Sequence, residues 1–110
     1  MPLIRPIAIC IFHNNGEILV SQGFDHVKGT YFYRPLGGGI EFGEISAQTI
    51  VREIREEIGA EVINLHLIGT LENIFTFQGI PSHQIIQVYD GEFVDPPFTS
   101  AVRCWHGKQW

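Results

Sequence analysis

The stretch GGIEFGEISAQTIVREIREEIGA, residues 38–60, decides how the chain is read. Ser46 is a good N-cap and Gly59 a good C-cap, so the sequence predicts a helix of about three to four turns between them. At about 100° per residue, Ala47, Ile50, Val51, Ile54 and Ile58 fall within one apolar arc, the stripe that a helix turns toward a core. Glu53, Glu56 and Glu57 stand at i, i+3 and i+4, and so emerge as neighbours on a second face adjoining the buried one. Carboxylates so placed repel one another, which calls either for solvation as an ordinary charged face or for a cation between them. An oxygen-only donor set suits Mg²⁺ or Mn²⁺, which leave positions open for water and phosphate oxygens. Arg52, four residues before Glu56, can hold a carboxylate by a bidentate contact; the same spacing also makes an ordinary surface pair.

The loop before the helix tips the balance toward a site. Gly37, Gly38 and Gly39 in succession cannot sit in a helix at tolerable cost, so they mark backbone that needs unusual dihedrals or close approach. Gly38 and Gly39 let backbone N–H groups come near an anion, and Glu41 and Glu44 add carboxylates where the loop enters the helix. A glycine turn, acidic residues and an acidic helix face thus share one segment.

Outward from this segment the chain reads as strands. Residues 6–12 are β-branched and continuously apolar, as in a strand buried on both faces, and Asn15-Gly16 then signals a hairpin into residues 17–21. Residues 23–30 read as a polar loop and 31–34 as a short strand. Residues 62–77 and 83–94 are β-rich and separated by the turn-like Gly79-Ile80-Pro81-Ser82. Strands, one helix, then more strands argue for an α+β domain with the helix packed on a sheet.

With 110 residues, 45% hydrophobic and 17% charged, the chain fits a single domain, 1–110, with a modest core. Every apolar run is interrupted well short of the roughly 18 residues that span a bilayer, and the first residues lack the order of a secretory signal, so the expected place is the cytoplasm. Cys10 and Cys104 have no metal-ligand spacing and read as reduced thiols. Seven basic against twelve acidic residues give a net charge of −5 with no basic stripe, which argues against a nucleic-acid partner. An acidic protein that handles a polyphosphate needs cations to hold it.

The run Gly38-x5-Glu44-x7-Arg52-Glu53-Ile54-x-Glu56-Glu57-x-Gly59-Ala60 resembles the Nudix box, G-x5-E-x7-R-E-U-x-E-E-x-G-U, in which U is a bulky aliphatic residue. Only Ala60, smaller than usual, departs from it. The resemblance implies a Nudix-type α/β/α sandwich, a mixed sheet with one catalytic helix. It also implies a metal-dependent hydrolase that cleaves a diphosphate bond in a nucleoside triphosphate or a nucleoside diphosphate derivative. By the same resemblance Glu53, Glu56 and Glu57 would bind Mg²⁺ or Mn²⁺, with one carboxylate, such as Glu53, alternatively serving as base. Arg52 would orient Glu53 or Glu56, Glu44 would steady the loop or bind a peripheral metal, and Gly38, Gly39 and Arg34 would meet the substrate.

Against the family pattern the chain is C-terminally short. Residues 95–110 read as an irregular or truncated tail, in which Trp105 and Trp110 would cover the sheet or a partner subunit, or stack on a base. Asp90, Glu92 and Asp95 read as solvated strand-end residues, although some relatives place a further catalytic carboxylate in this region. Of the five scattered histidines, His13, His26, His66, His83 and His106, only His26 and His83 merit testing. His83-Gln84 stands where similar bacterial sequences often carry His-Glu; Gln84 either costs the chain a base or ligand, or merely points into solvent. These departures keep a second reading open, a catalytically impaired nucleotide-binding or regulatory protein. Exposed apolar strands in a short domain also favour a homodimer.

Overall fold

A computed structural model of the chain describes residues 3–14 and 16–95. The expectations for the tail beyond Asp95, with Cys104, Trp105, His106 and Trp110, lie outside the described residues. Strand β1, Ile4–Asn14, is central, as its apolar run requires. Alternate side chains take opposite faces. Ala8, Cys10 and Phe12 join the core under the helix, while Ile7, with Ile9 and Ile11, joins a second cluster behind it.

The Asn-Gly hairpin is present. His13 pairs with Ile18 and Asn14 with Glu17, which defines β2, Glu17–Ile18, and Gly16 takes φ +80° in the turn. The predicted loop 23–30 is instead largely strand: β3, Val20–Asp25, pairs with β4, Thr30–Gly39. Gly23 belongs in β3 because the Phe32 ring lies over it, where a Cβ would come within 2.8 Å of the ring. Asp25 closes the hairpin by accepting the N–H groups of Val27 and Lys28, a local side-chain turn that polar composition alone disguises as loop. The three glycines also prove to be strand rather than loop, with Gly37, Gly38 and Gly39 opposite Ile9, Ala8 and Ile7 of β1.

Helix α1, Ser46–Ile58, follows. Ile45 occupies the N-cap position, not Ser46 as expected. The Ser46 hydroxyl is engaged with Tyr89, and the Gln48 side chain accepts the Ile45 N–H at 3.0 Å. Gly59 ends the helix at φ +67°, its N–H donating to the Arg55 carbonyl. Ile50 and Ile54 are fully buried, each burial worth about 1.5–3 kcal/mol, and Thr49 is buried beside them.

The last two strands, β5 Val62–Phe77 and β6 Ile80–Phe93, form a long hairpin. Its turn is Gln78-Gly79, both at positive φ, so Ile80, Pro81 and Ser82 lie in β6 rather than in the turn. Pro81 is tolerated because β1 pairs with β6 only from His83 onward, which leaves one side of Pro81 free of a ladder. β6 runs parallel to β1 and every other pairing is antiparallel, giving the order β3-β4-β1-β6-β5 with β2 paired to β1. The fold is thus α+β, a mixed sheet with one helix on one face among the described residues. No described helix is long and apolar enough to cross a membrane.

Candidate active site

Arg52 organises the loop and helix. Its Nε donates to Glu44 Oε2 at 2.7 Å and its Nη2 to Glu44 Oε1 at 3.1 Å, so the bidentate partner is Glu44 rather than Glu56. Nη1 reaches Glu53 at 2.8 Å and Glu56 at 3.3 Å, and Nη2 also donates to the Gly39 carbonyl at 3.0 Å. One planar cation therefore ties the end of β4, the entry loop and the helix together. Glu44 Oε1 additionally accepts the Thr49 hydroxyl and the Glu41 N–H, so this carboxylate is held by the loop and helix it joins.

This network fixes charge states. The Arg52 hydrogen bond, aided by the Glu41 N–H and the Thr49 hydroxyl, draws the Glu44 carboxyl down to about 2, and Glu44 in turn raises the Arg52 guanidinium. Because the folded state holds Glu44 below its ordinary 4.5, it contributes stability above that pH, which is lost as pH falls from 4.5 toward 2. Thermal melts across this window should show a falling midpoint, and the fall should be shallower in Glu44→Gln.

The three helix carboxylates are not equivalent. Glu56 is 61% exposed, whereas Glu53 is 19% exposed and lies against Gly38, where a Cβ would sit 2.7 Å from either carboxylate oxygen. Both Glu57 oxygens are shut off from solvent, and the Arg34 guanidinium acts on them electrostatically. On β4, Arg34, Leu36 and Gly38 alternate onto one face, with Leu36 packed in the core under the helix and Gly38 against Glu53. Arg34 itself is pushed down to about 10, first by burial, with the nearby Arg5 adding to the shift and Glu57 and Glu53 opposing it.

Beyond Arg34 opens a cavity of about 940 Å³ between the β3–β4 and β5–β6 hairpins. Phe32, Phe75 and Phe77 line it, with Phe32 and Phe77 edge to face at 5.5 Å. Arg5, Lys28 and Arg34 bring positive charge to its wall. Gln84 lines it too and is only 8% exposed. No spacing in the sequence connects Arg5 and Lys28 to the box, whereas the alternation of Phe75 and Phe77 is a local signal that two rings share a face.

Other candidates lie elsewhere. Asp90 stands 3.8 Å from His13, Glu92 accepts from Asn64, Asp95 is exposed, and His26 packs edge-on against Phe24. The Cys10 thiol is buried and pushed up to about 12 by that burial. Among the described residues no three His, Cys, Asp or Glu side chains stand close enough to hold a metal ion. The donor chemistry nonetheless suits a hard divalent cation: carboxylates on one helix, facing a strand whose Gly38 leaves room for no more than a hydrogen beside Glu53.

A family model described as NUDIX domain matches residues 2–107. The chain belongs to the Nudix family. NAD-capped RNA hydrolase NudC of Pseudomonas aeruginosa is 39% identical over 69 residues, covering 63% of this chain and 24% of that protein. The corresponding enzyme of Vibrio atlanticus is 35% identical over 69 residues, 63% of this chain and 25% of its own length. The chain thus spans about a quarter of the curated relatives it matches. Among solved structures, a NUDIX hydrolase from Nitrosomonas europaea aligns with TM-score 0.68 at 19% identity, covering 96% of this chain and 67% of that one. A MutT NUDIX hydrolase from Burkholderia pseudomallei aligns with TM-score 0.68 at 22% identity, covering 89% and 74%. Those likenesses establish the Nudix fold, and the sheet order and single helix described above are that fold in this chain.

Proposed function

We propose that the chain is a Nudix pyrophosphate hydrolase that cleaves the diphosphate linkage of a nucleoside diphosphate derivative or a nucleoside triphosphate. The observation that carries this reading is the position of Arg34, which lines a cavity walled by aromatic rings and cations while its charge acts on Glu57 of the carboxylate helix. Phosphates at Arg34 and Arg5 would place a diphosphate beside the helix, while an attached base would lie among Phe32, Phe75 and Phe77. Glu53, Glu56 and Glu57 would hold Mg²⁺ or Mn²⁺, which when bound neutralises phosphate charge and sharpens water as a nucleophile. Glu53, held between Arg52 and Gly38, would accept the proton of an incoming water. Arg52 and Glu44 do not face the cavity; they hold the loop and helix in register. The match to the NudC proteins supports a nucleotide substrate containing a diphosphate.

The test is release of monophosphate or pyrophosphate from a panel of nucleotides and sugar nucleotides, with Mg²⁺ or Mn²⁺ supplied. Glu57→Gln is expected to lower turnover about 100-fold or more. Undiminished turnover in that variant would remove Glu57 from the mechanism, and nucleotide binding without any product would establish the binding-protein reading instead.

A further inference from the structure

We propose that the β3–β4 hairpin is a strap closed over the ligand cavity, and that Asp25 is the positioning residue that clasps it. The inference rests on the nucleotide reading above and deepens it. The ladder between β4 and β1 covers Leu36 to Gly39, while residues 30–35 pair with β3 instead. Because β4 runs antiparallel to β1, a straight β4 would carry its hairpin toward the C-terminal end of β1. β6 runs parallel to β1 and meets it first at Ile4 with His83, so the β5–β6 turn lies off the opposite end. The two tips nonetheless meet, at Asp25 and Gln78. The β3–β4 hairpin therefore folds back over the sheet, and the cavity is the space it encloses. Ile7 and Ile86 of the sheet and Phe32 and Arg34 of the hairpin are among its walls.

The hold at the tip is local. No ladder joins the two hairpins among the described residues, since β4 and β6 pair with β1 and not with each other. Instead the Gln78 N–H donates to Asp25 Oδ2 at 3.0 Å, Lys28 Nζ donates to the Thr76 carbonyl at 2.9 Å, and Phe32 meets Phe77 edge to face. Asp25 is only 3% exposed although it stands at a hairpin tip. Its own turn needs one oxygen, Oδ1, which accepts from Val27 and Lys28; the second oxygen serves the other hairpin. A ring lying among Phe32, Phe75 and Phe77 would touch strap and sheet at once, and gains both contacts only while the clasp is made. The apparent affinity for such a ligand scales with the clasped fraction of molecules. Phosphates at Arg34 and Arg5 would lie at the root of the hairpin, beside the Leu36 ladder, and depend on the clasp much less.

Asp25→Asn isolates the bond between hairpins. The asparagine keeps one oxygen for the Val27 and Lys28 N–H groups but turns an NH₂ group toward the Gln78 N–H, donor against donor. Kd for ADP and for inorganic pyrophosphate is measured by calorimetry with Mg²⁺ in the wild-type chain and Asp25→Asn, with thermal melts to establish folding and amide exchange read at Gln78. Asp25→Asn should weaken ADP about tenfold and leave pyrophosphate within about twofold. In the wild-type chain ADP, but not pyrophosphate, should slow exchange of the Gln78 N–H. Wild-type affinity for ADP in Asp25→Asn would overturn the clasp, as would Gln78 exchange that ADP leaves unchanged. Parallel losses for ADP and pyrophosphate would overturn it too, in favour of a role in stability alone. If the wild-type chain binds no ADP, the nucleotide reading itself falls, an outcome separate from the others. Should Asp25→Asn fail to fold, Lys28→Met carries the same test through the Thr76 bond, with the same split between ADP and pyrophosphate expected.

Discussion

Arg52→Ala is expected to lower turnover about 10- to 100-fold, although Arg52 does not line the cavity. The guanidinium holds Glu44, Glu53, Glu56 and the Gly39 carbonyl at once, so its loss frees the loop from the helix and sets four negatively polarised groups against one another. Arg52→Lys should recover little. A lysine ammonium can satisfy one or two of these acceptors but cannot reproduce the planar fork that grips Glu44 through two nitrogens while reaching Glu53 with a third. Parallel measurement of turnover and Mn²⁺ affinity in both variants checks this. Near-normal affinity and turnover in Arg52→Lys would mean that charge alone, rather than geometry, is what the position supplies.

The adjacent glycines should separate folding from chemistry. At Gly37, with φ +153°, an added Cβ would collide with the Ala8 carbonyl oxygen and lie 2.7 Å from the Cα of Ile9, both backbone atoms of the central strand. Neither can yield without breaking the β1–β4 ladder, so Gly37→Ala should destabilise the fold by about 3 kcal/mol or more in urea titrations. One residue later the obstacle is different. At Gly38 the added Cβ meets the Glu53 carboxylate, the far end of a flexible side chain that can swing aside. Gly38→Ala should therefore cost less stability but displace Glu53 from Arg52, with turnover falling about 10-fold or more. If the two variants lose stability and activity in the same proportion, the division of labour between them is wrong.

The helix and its carboxylates were legible in the sequence because a 3.6-residue period is a local property, and Gly59 marks the end of that period without help from the rest of the fold. Its beginning was less so. Ser46 carries the right side chain for a cap, but Tyr89, forty-three residues away, takes its hydroxyl, and no local pattern announces that. The glycines misled for a related reason: three in a row deny a helix, yet whether they form loop or strand depends on the approach of β1 on one side and Glu53 on the other. Arg52 bonds both Glu53 and Glu56, the expected neighbours, but its two-nitrogen grip on Glu44 could not be foreseen, because Glu44 is near only after the loop turns back. The cavity was invisible at that level. Its walls come from two hairpins, and the placement of Gln84 between Arg5 and Asn73 is a consequence of strand order, which composition does not encode.

Asp25 joins those two hairpins at their tips. Its Oδ1 accepts the N–H groups of Val27 and Lys28 in its own turn, while its Oδ2 accepts the N–H of Gln78 in the turn of the other hairpin, and Lys28 Nζ donates across to the Thr76 carbonyl. The Gln78 bond is the leading reason its carboxyl is held below the usual range. The mouth of the cavity is therefore latched rather than merely shaped. The two hairpin tips are thereby tied together beside the cavity, so removing the Asp25 carboxylate is expected to loosen one hairpin against the other.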